Sequence, residues 1–493
     1  MSPETALLIA VALPFAAIIP IAVARDFPNV RETISIAVAS TVFLLVVQVY
    51  SGLAAGEVID IVLIEMMPGL TIRFTVEPLG MIFAGIASFL WIVTTIYAIG
   101  YMRGHHERNQ TRFFMCFAVA IGSALGVAFA GNMLTLFVFY EVLTVSTFPL
   151  VAHHGSEESK KAGRTYLGIL LGTSIGLQLF AILATWVITG TLDFRDGGVF
   201  GESISGITVG VLLGLYAYGV GKAALMPLHR WLPAAMVAPT PVSALLHAVA
   251  VVKAGVFTVV KVVVYIFGID LLAAEPSAGW LLYAAGFTVI VASLIALRQD
   301  NLKRRLAYST VSQLSYVIIA AAILTPISAV GAAVHIAAHA FGKITLFFAA
   351  GSILVAAHKS QVSQLDGIGK RMPITMTAFA IGALSMIGLP PTAGFVSKWY
   401  ILQGALVADQ MVAVAVIIVS TLLNAGYFLP IVYAAFFRKE TEGSHAGEHG
   451  TGHGEAPLPM VLAISVTAVG TVLMFFWPDL PLGLAQQMVG GGQ

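Results

Sequence analysis

The chain has 493 residues, of which 58% are hydrophobic and only 10% charged, with a formal net charge of +1. A soluble domain carries ~25% charged residues, so this composition excludes a soluble multidomain chain and indicates a polytopic membrane protein without a nucleic-acid signature. The single cysteine, Cys116, excludes a disulfide framework, an iron–sulfur cluster or a cysteine zinc site held by this chain alone.

A helix needs ~20 apolar residues to cross the hydrocarbon core. Fourteen windows meet that requirement: 5–24, 33–53, 78–100, 113–130, 132–152, 165–190, 206–227, 241–266, 279–297, 306–325, 328–357, 374–407, 411–437 and 457–477. The first has no charged leader or cleavage site, so it reads as a span and not as a signal peptide. The window 374–407 is long because Pro390 and Pro391 interrupt it, giving one broken helix. Eighteen Lys and Arg residues fall in the odd-numbered loops, against Arg73 and Arg195 in the even ones. The positive-inside rule then puts the odd loops in the cytoplasm and both termini outside; the expected location is a bacterial or archaeal cell membrane.

Five basic residues are left inside spans: Lys222, Lys253, Lys261, Lys343 and Lys398. Glu141, in Phe-Tyr-Glu-Val, is the one acidic residue in mid-span, and His247, His335 and His339 are also in spans. A charge at the bilayer centre costs ~2.5–3.5 kcal/mol on insertion scales, so such residues face the protein interior, pair, or mark an ion path. His335, His339 and Lys343 are spaced i, i+4, i+8 and share one helix face, ~6 Å apart per step. Lysine and histidine suit proton work, because burial and neighbouring charge move their proton affinities. Each also has a plainer role: Glu141 as half of a structural ion pair, Lys222 snorkelling to a span end, a lone histidine as a satisfied core residue. Lys261 lies near the external end of its span and is expected to snorkel, so Lys261→Ala should be mild.

Proline breaks accompany two of the lysines. Lys222 precedes Met226-Pro227, and Pro239-Thr240-Pro241 opens the next span; Pro390-Pro391 precedes Lys398. Unpaired backbone in a membrane is tolerated only inside protein or beside water. The two units lie five spans apart, an odd number, so they would be inverted relative to each other, as in many secondary transporters.

These residues together resemble a known family. Lys222-Ala-Ala-Leu-Met-Pro-Leu-His-Arg-Trp-Leu-Pro-Ala-Ala and Ala-Pro-Thr-Pro-Val-Ser-Ala-Leu-Leu-His247 are similar to the signature of the antiporter-like subunits of respiratory complex I, Mrp-type cation/proton antiporters and membrane-bound hydrogenases. Leu302-Lys-Arg-Arg-Leu-Ala-Tyr-Ser-Thr-Val-Ser-Gln313, His335 to Gly351, and Gly394-Phe-Val-Ser-Lys-Trp399 also resemble it. The resemblance covers nearly all the spans. It implies an all-α fold of about fourteen transmembrane helices with two inverted five-helix repeats, each holding a broken helix. The segments would be 1–112 (helices 1–3), 113–266 (first repeat), 279–437 (second repeat), 438–456 (a cytoplasmic loop rich in His and Gly) and 457–493 (helix 14 and an external tail). Residue by residue, it implies a proton relay through Glu141, Lys222, His247, Lys253, His335, His339, Lys343 and Lys398.

Lys398 departs from complex I members, which carry glutamate at that place, and the chain lacks the lateral-helix extension of the largest of those subunits. Lys253 resembles the Mrp D pattern, whereas His247 resembles the larger A- or L-type pattern. The implied function is a proton-translocating, Mrp D-like subunit of a Na⁺/H⁺ antiporter. The alternatives are the proton pump of complex I or a membrane hydrogenase, and a proton-coupled subunit of inorganic-carbon uptake. The expected partners are other membrane subunits, the bilayer, H⁺ and Na⁺, with no nucleic acid, no bound cofactor and no metal. In the relay, Glu141 and Lys222 would form the first charge pair and Lys398 the terminal site. Gly-Val-Gly-Lys222 resembles the end of a P-loop, but Tyr216 stands where its first glycine is required, so nucleotide binding is rejected. His445, His449 and His453 recur in a Gly-rich loop and read as solvated, not metal-binding.

Overall fold

The computed structural model describes residues 1–67, 69–439 and 454–490, so His445, His449 and His453 lie outside the described residues. Among those described, eleven helices are long and apolar enough to cross a membrane. They coincide with eleven of the fourteen windows. The other three windows fall on Ile207–Gly219, on Leu302–Ala322, and on the pair Pro373–Ile387 and Ala393–Val407.

Local chemistry sets the helix ends. Asn132 and Asn301 cap their helices by accepting backbone N–H groups of Thr135 and Arg304. Thr325 and Ser328 form a reciprocal capping box ahead of Pro326–Ala357. Burial is graded. The most hydrophobic stretch of Thr240–Phe267 is wholly buried, whereas Pro28–Ala54, Met411–Phe437 and Leu458–Phe476 are about one-third buried and expose a ring of Leu, Val and Phe side chains. The central helices are Thr240–Phe267 and Pro326–Ala357. The latter packs on Leu302–Ala322, Pro373–Ile387, Ala393–Val407 and Leu458–Phe476.

Close approach at the centre relies on glycine. A methyl group on Gly255 would stand 2.4 Å from backbone atoms of Lys222 and Ala223, and one on Gly394 would stand 1.8 Å from the Ser385 carbonyl oxygen. The first contact seats the turn carrying Lys222 against Thr240–Phe267; the second clamps the two halves of the broken helix together.

Two features differ from the sequence reading, the end of one helix and an added hairpin, while the opening at Pro239-Thr240-Pro241 agrees with it. The helix expected over 206–227 stops at Gly219, well before Pro227, and Lys222 lies on a 3₁₀ turn, Gly221–Ala223. Pro239 and Pro241 open Thr240–Phe267 at its first turn, where a missing N–H is harmless. A β-hairpin, Asp60–Met67 paired antiparallel with Leu70–Thr75, adds strand to the otherwise helical chain. Its β-branched residues are visible in the sequence, but it lies between spans, where charge asymmetry is the stronger signal.

Backbone hydrogen bonds fasten the hairpin over one end of the bundle. Thr75 N–H donates to Phe129 O at 2.8 Å and Gly131 N–H to Arg73 O at 2.9 Å. Arg73 donates to both Asp60 oxygens and to Asp193. It thereby holds the Asp60 carboxyl below its ordinary value of 3.8. Because the folded-state value is depressed, this contribution to stability is complete above the ordinary value and is lost as pH falls through the depressed one.

Gly255→Ala should destabilise the purified protein by about 1–3 kcal/mol, the usual cost of overpacking. A thermal melt in detergent that matched wild type would contradict the tight seat described for Lys222.

Candidate functional site

Glu141 stands on the helix Met133–Val151. Both its carboxylate oxygens are buried and accept no hydrogen bond from the described residues, although Ser174, on the π turn Ser174–Gln178, faces it. Lys222 is fully buried. Its Nζ donates to Tyr140 O at 2.7 Å and to Thr144 Oγ1 at 2.5 Å, and it lies over the Tyr140 ring. The expected charge pair is therefore not in contact. The lysine reaches the glutamate's helix but binds the residue before Glu141 and one three residues after it. An ammonium is a donor only, and it takes the acceptors nearest to the turn that carries it.

His247 lies in a π turn, Leu245–Val249. Such wide turns interrupt a regular helix and recur at functional sites. Neither ring nitrogen has a hydrogen-bond partner among the described residues, and the ring packs on Phe347 with centroids 4.8 Å apart. Lys253, one and a half turns on, contacts His339 Nδ1 across the interface with Pro326–Ala357. Only one of the two facing nitrogens can hold the proton between them, since an ammonium donates and an imidazole nitrogen accepts only when unprotonated. His335 and His339 stack, with centroids 6.1 Å apart. His335 Nδ1 meets Ser397 Oγ at 2.8 Å. Lys343 Nζ donates to Ser309 Oγ at 2.8 Å, and Tyr427 Oη donates to the same hydroxyl at 3.1 Å.

Lys398 is placed by the helix break. Pro373–Ile387 ends at Gly388, whose φ is +92°, and the chain re-enters helix at Ala393. The last carbonyls of the first half are thus freed. Lys398 Nζ donates to Met386 O at 2.8 Å and Ile387 O at 3.0 Å, and Tyr316 covers it at 4.5 Å. A cation at a helix C-terminus is favoured by the dipole as well as by the hydrogen bonds. Pro390 and Pro391 lie in the connection between the halves.

The structure therefore gathers Lys253, His339, His335, Ser397 and Lys398 into neighbouring positions on three helices, with Lys343 farther along the same stripe. Glu141 and Lys222 form a separate group, linked to the first through Gly255. Lys261, expected at the water interface, is fully buried instead. It pairs with Glu77 and lies 3.8 Å from the centroid of Phe194. A folded loop covers the end of its span, so its ammonium sits behind the Glu77 pair and not at the open surface. Reading charge alone missed the hydroxyl partners Ser309, Ser397 and Thr144; Ser309 and Ser397 lay inside the quoted motifs, but serine is too common to single out. It also left Lys303 in a loop, whereas this residue is largely buried and donates to Ala238 O at 2.5 Å.

Residues 130–424, which include all eight candidate relay positions, match the family described as NADH:quinone oxidoreductase/Mrp antiporter, transmembrane. The chain belongs to this family. It is 33% identical to NADH-quinone oxidoreductase subunit N of Desulforudis audaxviator over 82% of this chain and 81% of the relative. It is also 34% identical to a probable K⁺/H⁺ antiporter protein of Rhizobium meliloti, over 73% of this chain but only 36% of that longer relative. In fold it matches a chain of the Mrp complex from Dietzia sp. DQ12-45-1b, with a TM-score of 0.86 at 23% identity, covering 100% of this chain and 98% of the other. The chain is thus an antiporter-like membrane subunit of the kind found in Mrp and complex I-type assemblies.

Gly388→Ala would force a residue with a Cβ into the left-handed region, at about 1–2 kcal/mol, and would place that Cβ 2.6 Å from Lys398 Cδ. The expected outcome is a lower melting temperature together with a displaced Lys398 in a determined structure; an undisturbed lysine would refute the role given to this glycine.

Proposed function

We propose that the chain is the proton-translocating subunit of a multisubunit monovalent cation/proton antiporter, exchanging protons for Na⁺. The observation that carries this reading is the row of fully or nearly fully buried groups, Lys253, His339, His335, Lys343 and Lys398, which crosses three helices with no carboxylate among its contacts. Buried cationic groups without counter-ions are costly, and holding or passing mobile protons is a use that accounts for placing several together. Protons would move from the Glu141–Lys222 group, through His247 and Lys253, to the histidines and Lys343, and end at Lys398. Water must bridge the gaps, because the fixed side chains do not touch throughout. The two lysine-bearing breaks would belong to inverted units at 113–266 and 279–437, with both termini outside.

A second reading is supported by the relative from Desulforudis audaxviator, which matches over four-fifths of its own length: the same row would then be the proton pump of a quinone-reducing complex. Mass spectrometry of the complex purified through this chain in mild detergent separates the two. Small membrane subunits alone support the antiporter; iron–sulfur or flavin subunits support the pump.

Glu141→Ala and Lys398→Ala should each abolish Na⁺-dependent collapse of a pH gradient in everted vesicles while leaving the complex assembled. Wild-type transport in both variants would sink the relay.

A further inference from the structure

One buried lysine of the spans, Lys261, lies outside the row from Glu141 to Lys398. Lys261 lies eight residues after Lys253 on Thr240–Phe267, about 12 Å along the helix axis on nearly the same face. Its Nζ is paired with Glu77, the residue just before the helix Pro78–Gly104, and is ringed by Phe194, Tyr265 and Phe257 at 3.8, 5.3 and 5.6 Å. The pair borders a cavity of about 90 Å³ whose walls also include Arg73, Thr75, Asp193 and the Ala130–Gly131 backbone. One water needs ~10–15 Å³ measured in this way, so the cavity of about 90 Å³ has room for several, beside the polar side chains of Arg73, Thr75, Glu77 and Asp193.

Exposure rises in steps along these side chains. Lys261 is sealed, Glu77 is 16% exposed, and Arg73 and Asp193 are about 30% exposed. Asp60, held by Arg73 outside the cavity wall, completes the charged set. Three carboxylates and two cations leave this end one negative charge in excess. Between Lys253 and Lys261, Phe257 packs on Phe83 with centroids 5.2 Å apart, so the connection to the relay is closed by apolar rings here.

We infer that the cavity bounded by Glu77 and Lys261 is the mouth through which the relay exchanges protons with water on the hairpin side. This rests on the relay reading above. In the exchange, an Nζ–H proton of Lys261 passes to a Glu77 carboxylate oxygen, which leaves a neutral amine and a neutral carboxylic acid. Glu77 then yields the proton to cavity water beside Asp193. The amine takes its next proton from the Lys253 side when the Phe257 segment admits water. The same steps run backwards for uptake.

A purely structural ion pair predicts something different, which makes the proposal testable. Removing one partner of a buried pair leaves an uncompensated charge and is strongly destabilising, whereas removing both with residues of similar volume is often tolerated. The experiment compares Glu77→Gln, Lys261→Met and the double variant in the intact complex, reading assembly by native gel and proton movement by a pH-sensitive dye in everted vesicles given Na⁺. The expected result is that the double variant assembles as wild type but moves protons at least ten-fold more slowly. An assembled double variant with wild-type transport overturns the mouth and leaves a structural pair. If the double variant fails to assemble, Glu77→Asp and Lys261→Arg, which keep the charges, take its place: slowed transport in assembled complex supports the proposal, and unchanged transport in both overturns it. Lys343→Ala, measured alongside, separates the two failures. Wild-type transport in that variant removes the relay itself, whereas loss there with normal transport in the pair variants removes only the mouth.

Discussion

Each of the buried ammonium groups has to be hydrogen-bonded, because an ionised group in an apolar interior with no partner is far too costly to keep. Carboxylates are scarce inside this chain, so the fold supplies neutral acceptors in their place. Lys398 takes two carbonyls freed by a broken helix, Lys222 a carbonyl and a threonine hydroxyl, and Lys343 a serine already held by a tyrosine. The helix breaks, the π turns and the glycine contacts can all be seen as ways of bringing such acceptors within reach. Among the described residues, Lys261 is the one lysine of the spans with a carboxylate within contact.

Acceptors of this kind bind an ammonium without fixing its charge. A carboxylate partner stabilises the protonated form strongly, whereas a carbonyl or hydroxyl does so more weakly. A row of lysines and histidines held by neutral groups can therefore pass a proton along with small changes in energy at each step. The Lys253–His339 contact is the extreme case, since one proton serves both facing nitrogens.

Much of this was legible in the sequence, and what was not has a physical explanation. Span positions follow from apolar length alone, and every window found a helix. The candidate relay residues stood out because charge is rare in such segments. What could not be read was direction. Nothing in Phe-Tyr-Glu-Val indicates that Lys222 would bind Tyr140 and Thr144 and not Glu141 itself, because that choice depends on where a 3₁₀ turn sits in space. The end of the helix at Gly219 was hidden because proline is the louder signal and lies eight residues later. Lys261 was misjudged because its distance from the span end was known but the folded cover above it was not. The hairpin that makes part of this cover was itself missed, since short strands between long helices carry few residues and no charge asymmetry.

That cover is held largely by main-chain hydrogen bonds: Thr75 to Phe129, Gly131 to Arg73, Met133 to Leu192, Arg195 to Tyr265 and Val199 to Ile266. Such bonds read no side chain. Away from Arg73, Asp60 and Asp193, whose side chains also bind one another, positions held only in this way can change while the lid's shape persists, and the chemistry presented to whatever arrives from the medium can be retuned there one residue at a time.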